Sequence, residues 1–142
     1  MIGFVFSIIA GAAMSLQGVM NTRLQDRIGL WEANAWVQGT AFLLSLGVMW
    51  LFGRGSLRTL VQVPWWQLSG GVLGLVITVT VMLSIKGLHP TVAISVILIA
   101  QLLVAAAIEA FGWMGQEKAA FGMKQLIGLG LMLGGVVLFK LK

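Results

Sequence analysis

From Pro90 to Phe111 the chain reads PTVAISVILIAQLLVAAAIEAF. Two strongly polar side chains, Gln101 and Glu109, interrupt an otherwise apolar or small-residue run. A helix crosses the hydrocarbon of a bilayer with about 20 such residues. Pro90 suits the first helical turn, where its missing N–H leaves no hydrogen bond unmade. The stretch therefore reads as a transmembrane helix, and four runs of similar character accompany it: Ile2–Asn21, Leu30–Phe52, Trp66–Ile85 and Phe121–Lys140. The expectation is an all-α membrane protein with five transmembrane helices in a single domain, 1–142.

Composition supports this reading. Of 142 residues, 59% are hydrophobic and 9% charged, and mean hydropathy is +1.02. That leaves too few polar groups to cover a soluble domain. The net charge of +5 comes from basic residues scattered singly between apolar runs, which argues against a nucleic-acid partner. With no cysteine and one histidine, His89, the chain offers neither a disulfide, a thiolate site nor a multi-histidine metal centre. No acid–base pair or activated nucleophile can be assembled, so neither an enzyme nor a cofactor is expected. The first apolar run begins at Ile2 without a basic stretch before it, unlike a cleavable leader.

The joins fit the same parsing. Arg23, Asp26 and Arg27 fill the first; Arg54, Gly55, Ser56, Arg58 and Pro64 the second; Lys86, Gly87 and His89 the third; Gly115, Gln116, Glu117 and Lys118 the fourth. Trp31, Trp50, Trp65, Trp66 and Trp113 fall near helix ends, at headgroup level, while Trp36 lies deeper. With five helices, the N-terminal side carries Arg54, Arg58, Lys118 and Lys124, and the opposite side Arg23, Arg27, Lys86, Lys140 and Lys142. Orientation follows an imbalance of positive charge. Four against five is almost none, so the chain is expected to insert both ways, unless one strong signal such as the first loop decides.

Polar groups within a bilayer are costly and often functional. Gln17 and Asn21 are four apart and share a face of the first helix. Gln38 lies about 12 Å in from Leu30, and Gln101 about 16 Å in from Pro90, near the bilayer middle. These four are candidate cavity-lining groups, with Trp36 as a stacking surface; hydrogen bonding or packing between helices is the alternative. Glu32 and Glu109 lie near opposite membrane faces. They either couple to a proton or cation or snorkel to the interface. Gly70, Gly71 and Gly74 form one cluster that allows close helix approach, and Gly128, Gly130, Gly134 and Gly135 form another. The second is the candidate dimer seam.

The run Gly11-Ala12-Ala13-Met14-Ser15-Leu16-Gln17-Gly18-Val19-Met20-Asn21 resembles the first helix of the YdcZ family. So does Gly87-Leu88-His89-Pro90 leading through Gln101-Leu102-Leu103 to Glu109 and Phe111-Gly112. The resemblance covers essentially the whole chain, and Gly130 to Leu138 also looks like the last helix of small multidrug resistance proteins. It implies a short five-helix bacterial inner-membrane protein of the drug/metabolite transporter superfamily. Two units of opposite orientation would assemble, here as an antiparallel homodimer of ten helices. Small multidrug resistance proteins use a glutamate in the middle of helix one, where this chain has only Gln17 and Asn21. The implied activity is secondary transport of a small metabolite or drug-like molecule. The alternative is a non-transporting subunit that pairs with a relative.

Overall fold

The structure is a computed structural model and describes residues 1–118 and 122–140. Phe121 and Lys142, which entered the expectations above, lie outside the described residues. Among the described residues every regular element is helical: α1 Ile2–Ile28, α2 Leu30–Phe52, a 3-10 turn Leu57–Gln62, α3 Trp65–Leu68, α4 Gly70–Leu88, α5 Pro90–Phe111, a 3-10 turn Trp113–Gly115 and α6 Met123–Lys140. Four segments are long and apolar enough to cross a membrane: α1, α2, the contiguous α3–α4 stretch and α5. The apolar helix α6 is shorter.

Two elements differ from expectation. The residues expected in the first loop, Arg23, Asp26 and Arg27, belong to α1. Hydropathy falls at Asn21, but Thr22–Ile28 contains no helix breaker, and the helix runs on until Gly29. The expected helix Trp66–Ile85 is two, and the second, α4, runs past Ile85 to include Lys86 and Gly87, which were expected in the third join; Ser69 separates α3 from α4. Its hydroxyl donates to the Trp66 carbonyl at 2.7 Å, a local bond that competes with the helical ladder. Its own carbonyl accepts from Val72 and Leu73, starting α4. By contrast, α2 and α5 have the expected bounds, each punctuated by a glycine: Gly53 after α2, and Gly112 in the left-handed region (φ 66°) after α5.

Most hydroxyls of these apolar helices satisfy themselves. Ser7 donates to Gly3, Ser15 to Gly11, Thr22 to Gly18, Ser45 to Ala41, Thr80 to Val76 and Ser95 to Thr91, each to the carbonyl four residues back. This removes the cost of a free hydroxyl in hydrocarbon.

The chain forms two compact units, Met1–Gly87 and Leu88–Lys142. In the first, α1 folds back onto α2 through the single residue Gly29, at φ 104° and ψ 159°, a conformation open almost only to glycine. The α4 helix joins this hairpin by three contacts of different kinds. A Cβ built on Gly18 would stand 2.8 Å from Ile85 Cδ1 and 3.1 Å from Val81 Cγ1, so glycine is what lets α1 and α4 approach. The Gln38 amide donates to Thr78 Oγ1 at 3.4 Å. Lys86 Nζ lies 2.9 Å from Asp26 Oδ1. An interhelical hydrogen bond in a membrane is worth about 0.6 kcal/mol, and a half-exposed ion pair about 0–1 kcal/mol. In the second unit α5 packs on α6, and the rings of Phe111 and Trp113 stack 5.2 Å apart where α5 ends.

At most 17% of the most apolar window of any spanning helix is buried within the chain. Met82 is the largest side chain fully buried among the described residues. A surface so apolar has to be covered by lipid or by another chain.

Candidate functional site

The α1–α2 hairpin encloses an open groove of about 660 Å³. Its α1 wall is Gln17, Val19, Met20, Asn21, Arg23, Leu24 and Arg27, and its α2 wall is Trp36, Val37, Thr40, Ala41 and Leu44. The spacing explains the walls: 20, 23, 24 and 27, and 37, 40, 41 and 44, each return to one helix face every three or four residues. Thr40 turns its hydrogen onto the Trp36 and Val37 carbonyls, which leaves its oxygen lone pairs for a guest. Trp36 is 66% exposed and offers a large aromatic face.

Three of the five substrate-binding candidates from the sequence, Gln17, Asn21 and Trp36, therefore line one groove. Gln38 is on the same helix but points elsewhere, toward Thr78 of α4. Two positions from Trp36 is about 200° around a helix, the opposite side. Gln101 and Glu109 are exposed on α5 of the second unit. Glu32 is exposed in the first turn of α2, where a carboxylate favours the helix dipole. Its carboxylate also occupies the space a Cβ on Gly29 would need.

Of the dimer-seam candidates, Gly135 lines a shallow cleft between α5 and α6 with Ser95, Leu98, Ile99, Met132 and Val136. A Cβ built on Gly128, Gly130, Gly134 or Gly135 meets nothing within 4 Å among the described residues.

The hairpin corner holds buried polar residues, among which the sequence reading singled out Asn21 as a candidate. Asn21, Thr22, Gln25 and Asn34 are all buried. Gln25 Oε1 and Asn34 Oδ1 have no hydrogen-bond partner among the described residues. The nearby charges are uneven. Asp26 is matched by Lys86, and this is the only ion pair among the described residues. Arg23 and Arg27, one helical turn apart, line the groove and neither forms an ion pair among the described residues, although Asp26 adjoins Arg27 and stands three residues from Arg23 on α1. Read as loop residues, these two arginines carried no functional signal. Their spacing of four becomes informative once α1 is known to extend to Ile28.

The family described as "Putative inner membrane exporter, YdcZ" matches residues 2–138. No curated protein and no solved structure matches the chain.

Proposed function

The chain belongs to the YdcZ family, and on that premise we propose that it is one subunit of a secondary transporter that works as an antiparallel homodimer. Family membership and four long apolar helices make it a multi-pass inner-membrane protein, and the family's description as an exporter supports the transporter reading. The groove of the α1–α2 hairpin carries the reading further. It brings Gln17, Asn21, Thr40 and the Trp36 ring together on helices that otherwise face lipid. Polar groups on a membrane helix are retained against a cost, and a mixed apolar and hydrogen-bonding lining is what a small-molecule site requires. The proposed cargo is a small metabolite or drug-like molecule.

In this reading α6 is the fifth span. Its 18 residues reach about 27 Å, close to the hydrocarbon thickness. The near-equal distribution of positive charge supports insertion in both orientations. The open glycine face of α6 supports a second helix packing there. Two inverted units related by a pseudo-two-fold axis can alternate access by rocking between equivalent states. Gln101 is assigned to substrate binding, and Glu32 or Glu109 to coupling with a proton or cation.

The test is a thermal-stability screen of purified protein against metabolites, organic cations and organic anions, followed by exchange in proteoliposomes. The expected result is a compound that raises the unfolding temperature, is exchanged across the vesicle membrane, and loses both effects in Asn21→Leu. A compound that stabilises the protein without being exchanged would refute transport and favour a pairing subunit.

A further inference from the structure

We propose that the α1–α2 groove takes an amphipathic organic anion. Its carboxylate or similar oxyanion would sit against Arg23 and Arg27, and its apolar body against Met20, Val37, Leu44 and the Trp36 ring. The inference rests on the transport reading of the same groove and names its substrate class.

Charge carries the argument. The groove lining contains two guanidinium groups and no carboxylate. The one acid of α1, Asp26, lies 2.9 Å from Lys86 and forms no ion pair with either arginine. Arg27 has a partial local explanation, because a cation in the last turn of a helix offsets its dipole. Arg23 lies a turn earlier. Both guanidinium groups are exposed to the groove and engaged in no ion pair among the described residues, so an incoming oxyanion can accept charge-assisted hydrogen bonds from them. Guanidinium groups suit a planar carboxylate because they donate in a fork.

Position fixes the rest. Arg27 is two residues from the corner at Gly29, and Arg23 six. Ala41 lies twelve residues beyond that corner on α2, at about the depth of Gln17 on α1, and Leu44 lies nearly one turn further. The cationic end of the groove is thus its corner end, while the far end mixes Gln17 and Thr40 with Val19, Ala41 and Leu44. An anion with a largely apolar body matches that distribution of charge; an organic cation opposes it.

The probes are naphthalene-2-carboxylate, its uncharged amide, and naphthylmethylammonium. Binding is measured by equilibrium dialysis on the full chain in nanodiscs of zwitterionic lipid, and again with anionic lipid added. The carboxylate should bind at least about tenfold more tightly than the amide or the cation, and more weakly as salt is raised. Arg23→Gln should remove about tenfold, Arg27→Gln less, and Arg23→Lys should keep part of the affinity. Both arginines are exposed, so helix content by circular dichroism should not change. The wild-type comparison of carboxylate with amide needs no variant. Equal binding of the three probes would overturn the proposal. So would loss of carboxylate binding when anionic lipid is added, which would make the arginines a headgroup site. Tight carboxylate binding without vesicle exchange would leave the substrate class standing and sink transport. Exchange of some other compound, lost in Asn21→Leu, with no carboxylate binding, would do the reverse.

Discussion

A methyl group added at Gly18 tests whether the approach of α1 to α4 is set by that residue. The new Cβ would lie 2.8 Å from Ile85 Cδ1 and 3.1 Å from Val81 Cγ1. Comfortable carbon contacts begin at about 3.5 Å, so the overlaps are roughly 0.7 and 0.4 Å. Both neighbours are side-chain ends and can yield, but Ile85 is buried and has little room. Overpacking of this kind costs about 1–3 kcal/mol. Alanine in a helix interior recovers about 1 kcal/mol over glycine. The net expectation for Gly18→Ala is a loss of up to about 2 kcal/mol. Ile85→Val deletes the clashing methyl; alone it should cost about 0.5–1.5 kcal/mol through the gap it leaves. In the Gly18→Ala background the same deletion relieves the overlap, so the pair should couple by at least about 1 kcal/mol. The measurement is a double-mutant cycle from reversible unfolding in mixed micelles. Additivity within about 0.5 kcal/mol, or a plain stabilisation by Gly18→Ala, would show that the two helices are not held apart or together at this point.

Gly29→Ala should destabilise the hairpin by about 1–3 kcal/mol in the same unfolding assay, since φ 104° is closed to alanine. Adding Glu32→Ala should recover only the part due to the carboxylate contact. His89 makes the α4–α5 join at φ 65° and ψ 151°, a strained backbone for a non-glycine residue. His89→Gly should therefore stabilise the fold by up to about 1 kcal/mol, and a loss instead would show that the side chain contributes more than the strain costs. Gly130→Leu or Gly134→Leu should weaken dimerisation in crosslinking and size analysis; an unchanged dimer would remove α6 from the seam. Glu109→Gln should alter the pH profile of transport, and Gln101→Ala should lower substrate affinity. Wild-type behaviour in both would reduce these residues to packing and snorkelling groups.

Some of this was legible in the sequence because the backbone is punctuated. Pro90 and Gly112 bound α5, and Gly29 and Gly53 bound α2. Where hydropathy and punctuation disagree, hydropathy misled: α1 passes Asn21 and carries two arginines onto the groove. Ser69 gave no warning of its break, because a serine in an apolar helix usually back-bonds and lets the helix continue. Within the groove, Gln17, Asn21 and Trp36 stood out as polar or aromatic groups on apolar helices. Gln38 stood out equally but serves α4, and only its angular position relative to Trp36 distinguishes them. The buried oxygens of Gln25 and Asn34 could not be read at all, since burial at the corner depends on how the hairpin closes.

The one-residue join at Gly29 has a mechanical consequence. A single residue supplies two soft torsions, and Gly29 sets them at φ 104° and ψ 159°. So short a join fixes which residues of α1 and α2 meet beside the corner, and with them the register in which Arg23 and Arg27 stand opposite the α2 wall of the groove.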